Sequence, residues 1–279
     1  MRSVINHLIQ LQELTLIRDE QRSLPGGNTR LGRLNDDIDG MTEALPTDVK
    51  ALYMRLYKRD HIVIAPLNDA SCSMCGMRLA ISAVQSVRFC RELQMCPSCT
   101  RILYDSTGPK WVGERPKRAG MERKVGIARF SAPDLMVPNL VSTTKEDAIG
   151  ELAKIMEASR FVDNAAKLVA AALARESVVS TAVGHGIAFP HVRGVEGGGL
   201  AMALGVSREG IAFDSHDSTP SHFIFFSTIP TAVSAFYLKL MAGISEAFRK
   251  DANHTAALDA MTPEALWKAL TKATRYTVK

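Results

Sequence analysis

Apolar residues recur three and four positions apart through the first sixty residues, at Ile5, Leu8, Ile9 and Leu11 and again at Leu31, Leu34, Ile38, Met41 and Leu45. That repeat lines one face of a helix and predicts two of them. Between them Leu24-Pro25-Gly26-Gly27-Asn28 stops one helix and permits a reversal, so an antiparallel helical hairpin is the simplest arrangement. Pro46 breaks the second arm or opens a further helical segment on the same seam, because the spacing continues through Val49, Leu52 and Leu56. Such a hairpin reads as a packing or dimerisation module.

The pattern then shortens. His61-Ile62-Val63-Ile64-Ala65 predicts a strand. Residues 106–131 are rich in glycine, proline and basic side chains without a sustained period, as in an exposed linker. From about Ala132 helices and short apolar strands alternate, which predicts an α/β domain with a mixed sheet flanked by helices. Thr143 with Glu146 suggests a capping box before a helix carrying Ile149, Leu152 and Met156. A second helix is expected over residues 165–175, strands over 187–189, 200–206 and 222–226, and a long helix carrying Val233, Tyr237, Leu240, Met241, Ile244 and Phe248. Thr262-Pro263-Glu264 opens a last helix with proline at its first position. The expected divisions are a hairpin over residues 1–60, a cysteine module over 61–105, a basic linker over 106–131 and the α/β domain over 132–279.

Composition agrees with several domains in series. The chain has 279 residues, 46% hydrophobic and 23% charged, the balance of a folded globular protein. It holds no apolar run of membrane-spanning length, and its first residues lack the pattern of a signal peptide, so the expected location is cytoplasmic with no membrane insertion. The formal net charge is +5, and residues 106–131 hold seven basic and two acidic residues, a surplus of five. A nucleic-acid contact would therefore fall on the linker, but Trp111 and Phe130 are its only aromatic residues, and a solvated linker explains the charge as well.

Four of the five cysteines form two Cys-x-x-Cys pairs, Cys72 with Cys75 and Cys96 with Cys99, separated by twenty residues. That spacing predicts a closed tetrahedral site for one structural Zn2+ per chain. Two redox-active dithiols are the competing reading, which a βαβ context would have favoured. Cys90 stands alone beside Phe89 in an expected strand, as a small buried hydrophobe or a fifth ligand. The runs Cys-Ser-Met-Cys-Gly-Met-Arg-Leu at 72–79 and Met-Cys-Pro-Ser-Cys-Thr-Arg-Ile-Leu-Tyr at 95–104 resemble the bacterial C4-type zinc ribbon that follows a coiled-coil hairpin. The resemblance implies a module for protein or nucleic-acid interactions.

The run Ser-Thr-Ala-Val-Gly-His-Gly-Ile-Ala-Phe-Pro-His-Val-Arg at 180–193 carries the second chemistry. Pro190 restricts the residue before it to extended geometry, so Ile187-Ala188-Phe189 should form a strand that delivers His191 at its end, exposed and firmly held. Imidazole is nucleophilic near neutral pH and suits phosphoryl shuttling, with hydroxyls and a cation around the phosphate. Arg175, Ser180, Thr181 and Arg193 are the local candidates for that cradle. On these residues alone a satisfied structural histidine fits too.

The longer set Arg175-Glu176, Ser180-Thr181, the Gly184 to His191 run and Ile211-Ala212-Phe213-Asp214 resembles the fructose/mannitol-type (type 2) enzyme IIA domain of the bacterial phosphoenolpyruvate-dependent sugar phosphotransferase system. The resemblance implies that His191 accepts a phosphoryl group from the phosphocarrier protein HPr and passes it to a IIB domain, or uses it for regulation as nitrogen-related IIA proteins do. Arg175 takes the place of the family's arginine before the serine-threonine pair. Where many members carry a second active-site histidine this chain has Tyr237, a hydrogen-bond donor but a poor proton acceptor at neutral pH. His185, His216 and His222 are expected to be structural. The alternative function is a non-catalytic regulatory adaptor that binds protein or nucleic acid through the ribbon and linker.

Overall fold

The computed structural model describes residues 1–23, 31–106, 125–195, 199–215 and 218–278. They belong to two compact units, Met1–Thr107 and Gly108–Lys279.

In the first unit α1 (Arg2–Ser23), α2 (Leu31–Glu43) and α3 (Thr47–Tyr57) bury the predicted apolar stripes, including Leu8, Leu11, Leu34, Ile38 and Val49. His7 Nε2 lies 2.8 Å from the Met41 carbonyl, so the start of α1 meets the end of α2 as in an antiparallel pair. The Leu24–Asn28 reversal falls outside the described residues. Pro46 immediately precedes α3 in extended geometry, with ψ 143°. Buried Gln12 joins α1 to the next segment: its Oε1 accepts from the amides of Val63 and Ile64, and its Nε2 donates to the Ile64 carbonyl.

β1 runs Ile64–Asn68, three residues beyond the expected start, and ahead of it the His61 ring stacks on Tyr57 at 4.5 Å. β1 pairs antiparallel with β2 (Ser71–Cys72) and parallel with β3 (Ile102–Asp105). Between the cysteine pairs lies α4 (Ile81–Arg88), which the apolar pattern did not announce, and it packs Val84 and Val87 against Ala65, Leu67, Leu79 and Leu103. The expected strand at Phe89-Cys90 is absent. Phe89 ends α4 and is 67% exposed, and Cys90 follows at φ 50° and is half-buried, outside the core.

The second unit is built on a mixed six-stranded sheet. Its strands are β4 (Met136–Val137), β5 (Ala182–Gly184), β6 (Ile187–Ala188), β7 (His191–Arg193), β8 (Ala201–Ile211) and β9 (Ser221–Ile229). The order is β4-β8-β9-β6-β5, and β7, continuing from β6 beyond a break at Phe189-Pro190, also pairs with β9. β8 and β9 are antiparallel, whereas β4 on β8 and both β6 and β7 on β9 are parallel. Residues 201–206 of β8 and 223–229 of β9 are buried on both faces, so the sheet is covered on both sides, as its near-continuous apolar runs require.

The helices are α5 (Lys145–Ala158), α6 (Ala165–Glu176), α7 (Ser234–Phe248), α8 (Asp251–Leu258) and α9 (Pro263–Thr274). α5 packs on α6, and α7, α8 and α9 pack together. The cap of α5 is Thr144, one residue beyond the expected Thr143, and its oxygen accepts from the Asp147 amide. α8 was not anticipated, because its apolar residues are mainly alanines. Thr262 caps α9 with Pro263 at its first position, as expected. Of the stretch read as a linker, residues 107–124 lie outside the described part, and its end is no linker: Phe130 and Ser131 bond to Met202 of β8 through the Met202 amide and the Ser131 hydroxyl.

Candidate functional site

In the first unit the four sulfurs of Cys72, Cys75, Cys96 and Cys99 all lie within 4.8 Å of one another, Cys72 to Cys99 at 3.6 Å and Cys75 to Cys96 at 3.5 Å. Sulfurs held tetrahedrally about 2.3 Å from a metal stand about 3.8 Å apart, so the donor set fits one four-coordinate thiolate site. The two pairs share a backbone turn. In each, the amide of the first cysteine donates to the carbonyl five residues on, and the amide four residues on donates back to the cysteine carbonyl: Met77 and Gly76 serve Cys72, Arg101 and Thr100 serve Cys96. The residue after each second cysteine adopts the left-handed region, Gly76 at φ 74° and Thr100 at φ 60°. That conformation is free for glycine and strained for threonine.

The four thiols are held unevenly. Burial pushes Cys72 up to about 12, with its Cys99 neighbour adding to the rise, and burial raises Cys96 as well. Burial opposes ionisation of Cys75 too, but hydrogen bonds from the Met77 backbone and the side chains of Cys96, Ser98 and Cys99 outweigh it and bring this thiol down to about 7.

In the second unit His191 is the first residue of β7, beyond the break that Pro190 makes between β6 and β7. The sequence suggested an exposed ring; it is 0% exposed. The reason is tertiary, since the ring faces α7, where the buried Tyr237 ring lies 5.2 Å away at 52°. Nδ1 is 2.9 Å from the Phe189 carbonyl. A carbonyl only accepts, so Nδ1 carries the proton and, in the neutral ring, Nε2 keeps the nucleophilic lone pair.

The other expected site residues occupy the elements around this strand. Arg175, at the end of α6, donates from Nη1 to the Val179 carbonyl, and Arg193 is two residues along β7 from His191, on the same face of the strand. The Ser180 hydroxyl donates to the Phe213 carbonyl, and that of Thr181 donates to Glu176 at 2.7 Å. Glu176 went unremarked in the sequence as a site residue. Its buried carboxylate also accepts from the Thr181 amide at 2.9 Å, so it fixes the loop between α6 and β5. Its place beside Arg175, five residues before Thr181, was the available signal.

His185 lies between β5 and β6 at φ 53°, flanked by Gly184 and Gly186 at positive φ, which makes it a turn residue. His222 donates from Nδ1 to the Ser207 carbonyl at 2.9 Å and is held structurally on β9. His216 falls outside the described residues.

A covered mixed sheet with a buried histidine at a strand break, its tautomer set by a backbone carbonyl, defines the α/β domain. The chain belongs to the family described as phosphoenolpyruvate-dependent sugar phosphotransferase system, EIIA 2, whose sequence model matches residues 130–273, just over half of its length. The domain is a phosphotransferase component with a phosphoryl-carrier function.

Among curated relatives, the chain is similar to the PTS system fructose-specific EIIABC component of Bacillus subtilis, 27% identical over 128 residues. That match takes in 46% of this chain and 20% of the longer relative, so the chain spans only a fifth of that protein. A nitrogen regulatory protein of Bradyrhizobium diazoefficiens is 30% identical over 123 residues, 44% of this chain and 80% of the relative. The solved structure of nitrogen regulatory protein IIA-Ntr from Neisseria meningitidis is 23% identical and covers 51% of this chain and 97% of its own, with a TM-score of 0.46. Among the described residues no helix is long and apolar enough to cross a membrane.

Proposed function

We propose that His191 is the residue that carries the phosphoryl group, accepting it at Nε2 from HPr and passing it to a IIB domain or to a regulated partner. The observation that carries this reading is the Nδ1 bond to the Phe189 carbonyl, which leaves Nε2 as the nucleophile in a domain of the carrier family. Arg175 and Arg193 are the cations proposed to offset phosphate charge, with the hydroxyls of Ser180 and Thr181 on a loop that Glu176 anchors through Thr181. Such transfer depends on positioning and charge stabilisation more than on covalent machinery. The test is incubation with phosphoenolpyruvate, enzyme I and HPr. An acid-labile label that His191→Ala abolishes is expected, and a label surviving in that variant overturns the assignment.

Regulation is favoured over rapid relay by one relationship. His191 is wholly enclosed, and its ring partner is a phenol where a second base would speed transfer. A donor reaches Nε2 only after covering side chains move, so phosphorylation would also change the packing of α7. Either use requires the same acceptor.

The four cysteines are proposed to hold one structural zinc. All four positions are protein thiolates, with no place for water, so the ion would supply folding free energy and no chemistry. The proposed divisions are a helical hairpin and zinc ribbon ahead of the carrier domain. Binding of protein by that ribbon, or of nucleic acid by the basic residues of 106–131, belongs to the adaptor alternative, which no described contact favours.

A further inference from the structure

An aromatic stripe on β9 stops at the level of His191. Phe223 and Phe225 lie on the face that meets α7, where both rings pack edge-on against Phe248 with centroids at 4.9 and 5.5 Å. Phe225 also stacks on Phe189 at 5.4 Å. Two residues on, the same face carries Ser227, which is the register partner of His191 across the parallel β7–β9 pair. Residues in register on neighbouring strands place their side chains side by side.

α7 changes character at the same end. Phe248, Ile244, Met241 and Tyr237 are buried at alternating spacings of four and three, and the next position of that stripe is Ser234, one turn before Tyr237. Ser227 is 0% exposed and Ser234 1%. Neither hydroxyl has a hydrogen-bond partner among the described residues. A buried polar group without a partner opposes folding, and an aliphatic side chain would have continued either stripe. Two such groups at the acceptor's end of both elements call for a polar occupant.

Phosphorylation of His191 supplies one, because three charged oxygens enter a place that water hardly reaches. Ser180 and Thr181 already commit their protons to the Phe213 carbonyl and the Glu176 carboxylate. We infer that the Ser227 hydroxyl, assisted by Ser234, donates hydrogen bonds to the phosphoryl oxygens of phosphorylated His191; this rests on His191 being the acceptor. In the transfer the P–N bond of a phosphohistidine donor breaks and its electron pair returns to the donor ring. The lone pair of His191 Nε2 forms the new P–N bond, the proton on Nδ1 stays there, donated to the Phe189 carbonyl, and Ser227 keeps its proton. Ser227 is thus a binding residue for the carried group and takes no part in proton transfer.

The test applies two phosphoryl sources in parallel: phosphoramidate, a small molecule that phosphorylates histidine without a protein donor, and phosphoenolpyruvate with enzyme I and HPr. The full chain, Ser227→Ala, Ser234→Ala, Ser227→Thr and His191→Ala are compared. Ser227→Ala should take the label on His191 but lose it by hydrolysis about tenfold faster, the effect of one hydrogen bond to a charged group. Ser227→Thr should restore the half-life, and Ser234→Ala should shorten it less. The unphosphorylated Ser227→Ala protein should unfold at the parent temperature or above, since the hydroxyl it lacks had no partner. An unchanged half-life in Ser227→Ala overturns the inference, as does a lowered unfolding temperature with an unchanged half-life. Labelling by phosphoramidate but not through HPr sinks the carrier reading alone, since the half-lives still decide the role of Ser227. No label on His191 from either source overturns both.

Discussion

The rings of His191 and Tyr237 lie 5.2 Å apart at 52°, both wholly buried, the one on β7 and the other in the second turn of α7. A phenol at this place fills space as an imidazole would and can donate a hydrogen bond, but it does not accept a proton near neutral pH. Tyr237→His is therefore expected to raise the rate of phosphoryl transfer from HPr by about tenfold or more, the range of general acid–base assistance. Rapid-quench labelling checks it, and equal rates in the two proteins would show that position 237 sets packing alone.

Glu176 holds Thr181 by two bonds from within the fold. Glu176→Ala leaves a buried amide without its acceptor and should cost about 1–3 kcal/mol of stability in urea unfolding. Because Ser180 and Thr181 sit on that loop, the same variant should label more slowly than the parent. A variant with parental stability would contradict the anchoring role.

Removal of the proposed zinc should unfold the cysteine region and spare the carrier domain. The core there is small, with Val84, Val87, Leu79 and Leu103 around two of the cysteines, so the ion is expected to contribute much of its folding free energy. Chelation or Cys96→Ser should abolish the metal content, about one ion per chain in the parent, while histidine labelling continues. A full metal complement in Cys96→Ser excludes the four-thiolate site.

Acid should weaken the second unit through His254. Burial holds its pKa below the ordinary 6.5, and the nearby His222 and His185 lower it further against the opposing pull of Asp251. The unfolded chain therefore binds a proton at higher pH than the folded one does. Stability is unaffected above 6.5 and is lost progressively as pH falls from there towards the depressed folded value. Denaturant midpoints measured from pH 7.5 to 5 should fall less steeply in His254→Asn, and parallel curves would assign the acid sensitivity elsewhere.

Periodicity located most elements, and its failures have local causes. Leu34, Ile38, Leu152, Met156, Met241 and Ile244 are all buried in helices where their spacing put them. α4 and α8 escaped notice because eight-residue helices offer too few turns for a repeat to stand out. Ahead of β1 the His61 ring stacks on Tyr57, the last residue of α3, a contact that the strand pattern does not express. The cap at Thr144 won over Thr143 because only its oxygen meets the Asp147 amide, a one-residue choice that pattern cannot make.

The site divides in the same way. Cysteine spacing was sufficient to anticipate four sulfurs converging, since each pair is built by a turn of six residues whose bonds are local. The Pro190-His191 dipeptide suggested a strand over 187–189 with the histidine at its end; the strand stops at Ala188 and His191 opens the next one, β7. What the sequence could not contain is the partner across space. That His191 is enclosed, that Tyr237 covers it, that Ser227 stands beside it in register and that Glu176 holds Thr181 all follow from which strand lies next to which and which helix packs above. Those neighbours are chosen by burying β8 and β9 on both faces, a condition on the whole sheet that no short run of residues expresses.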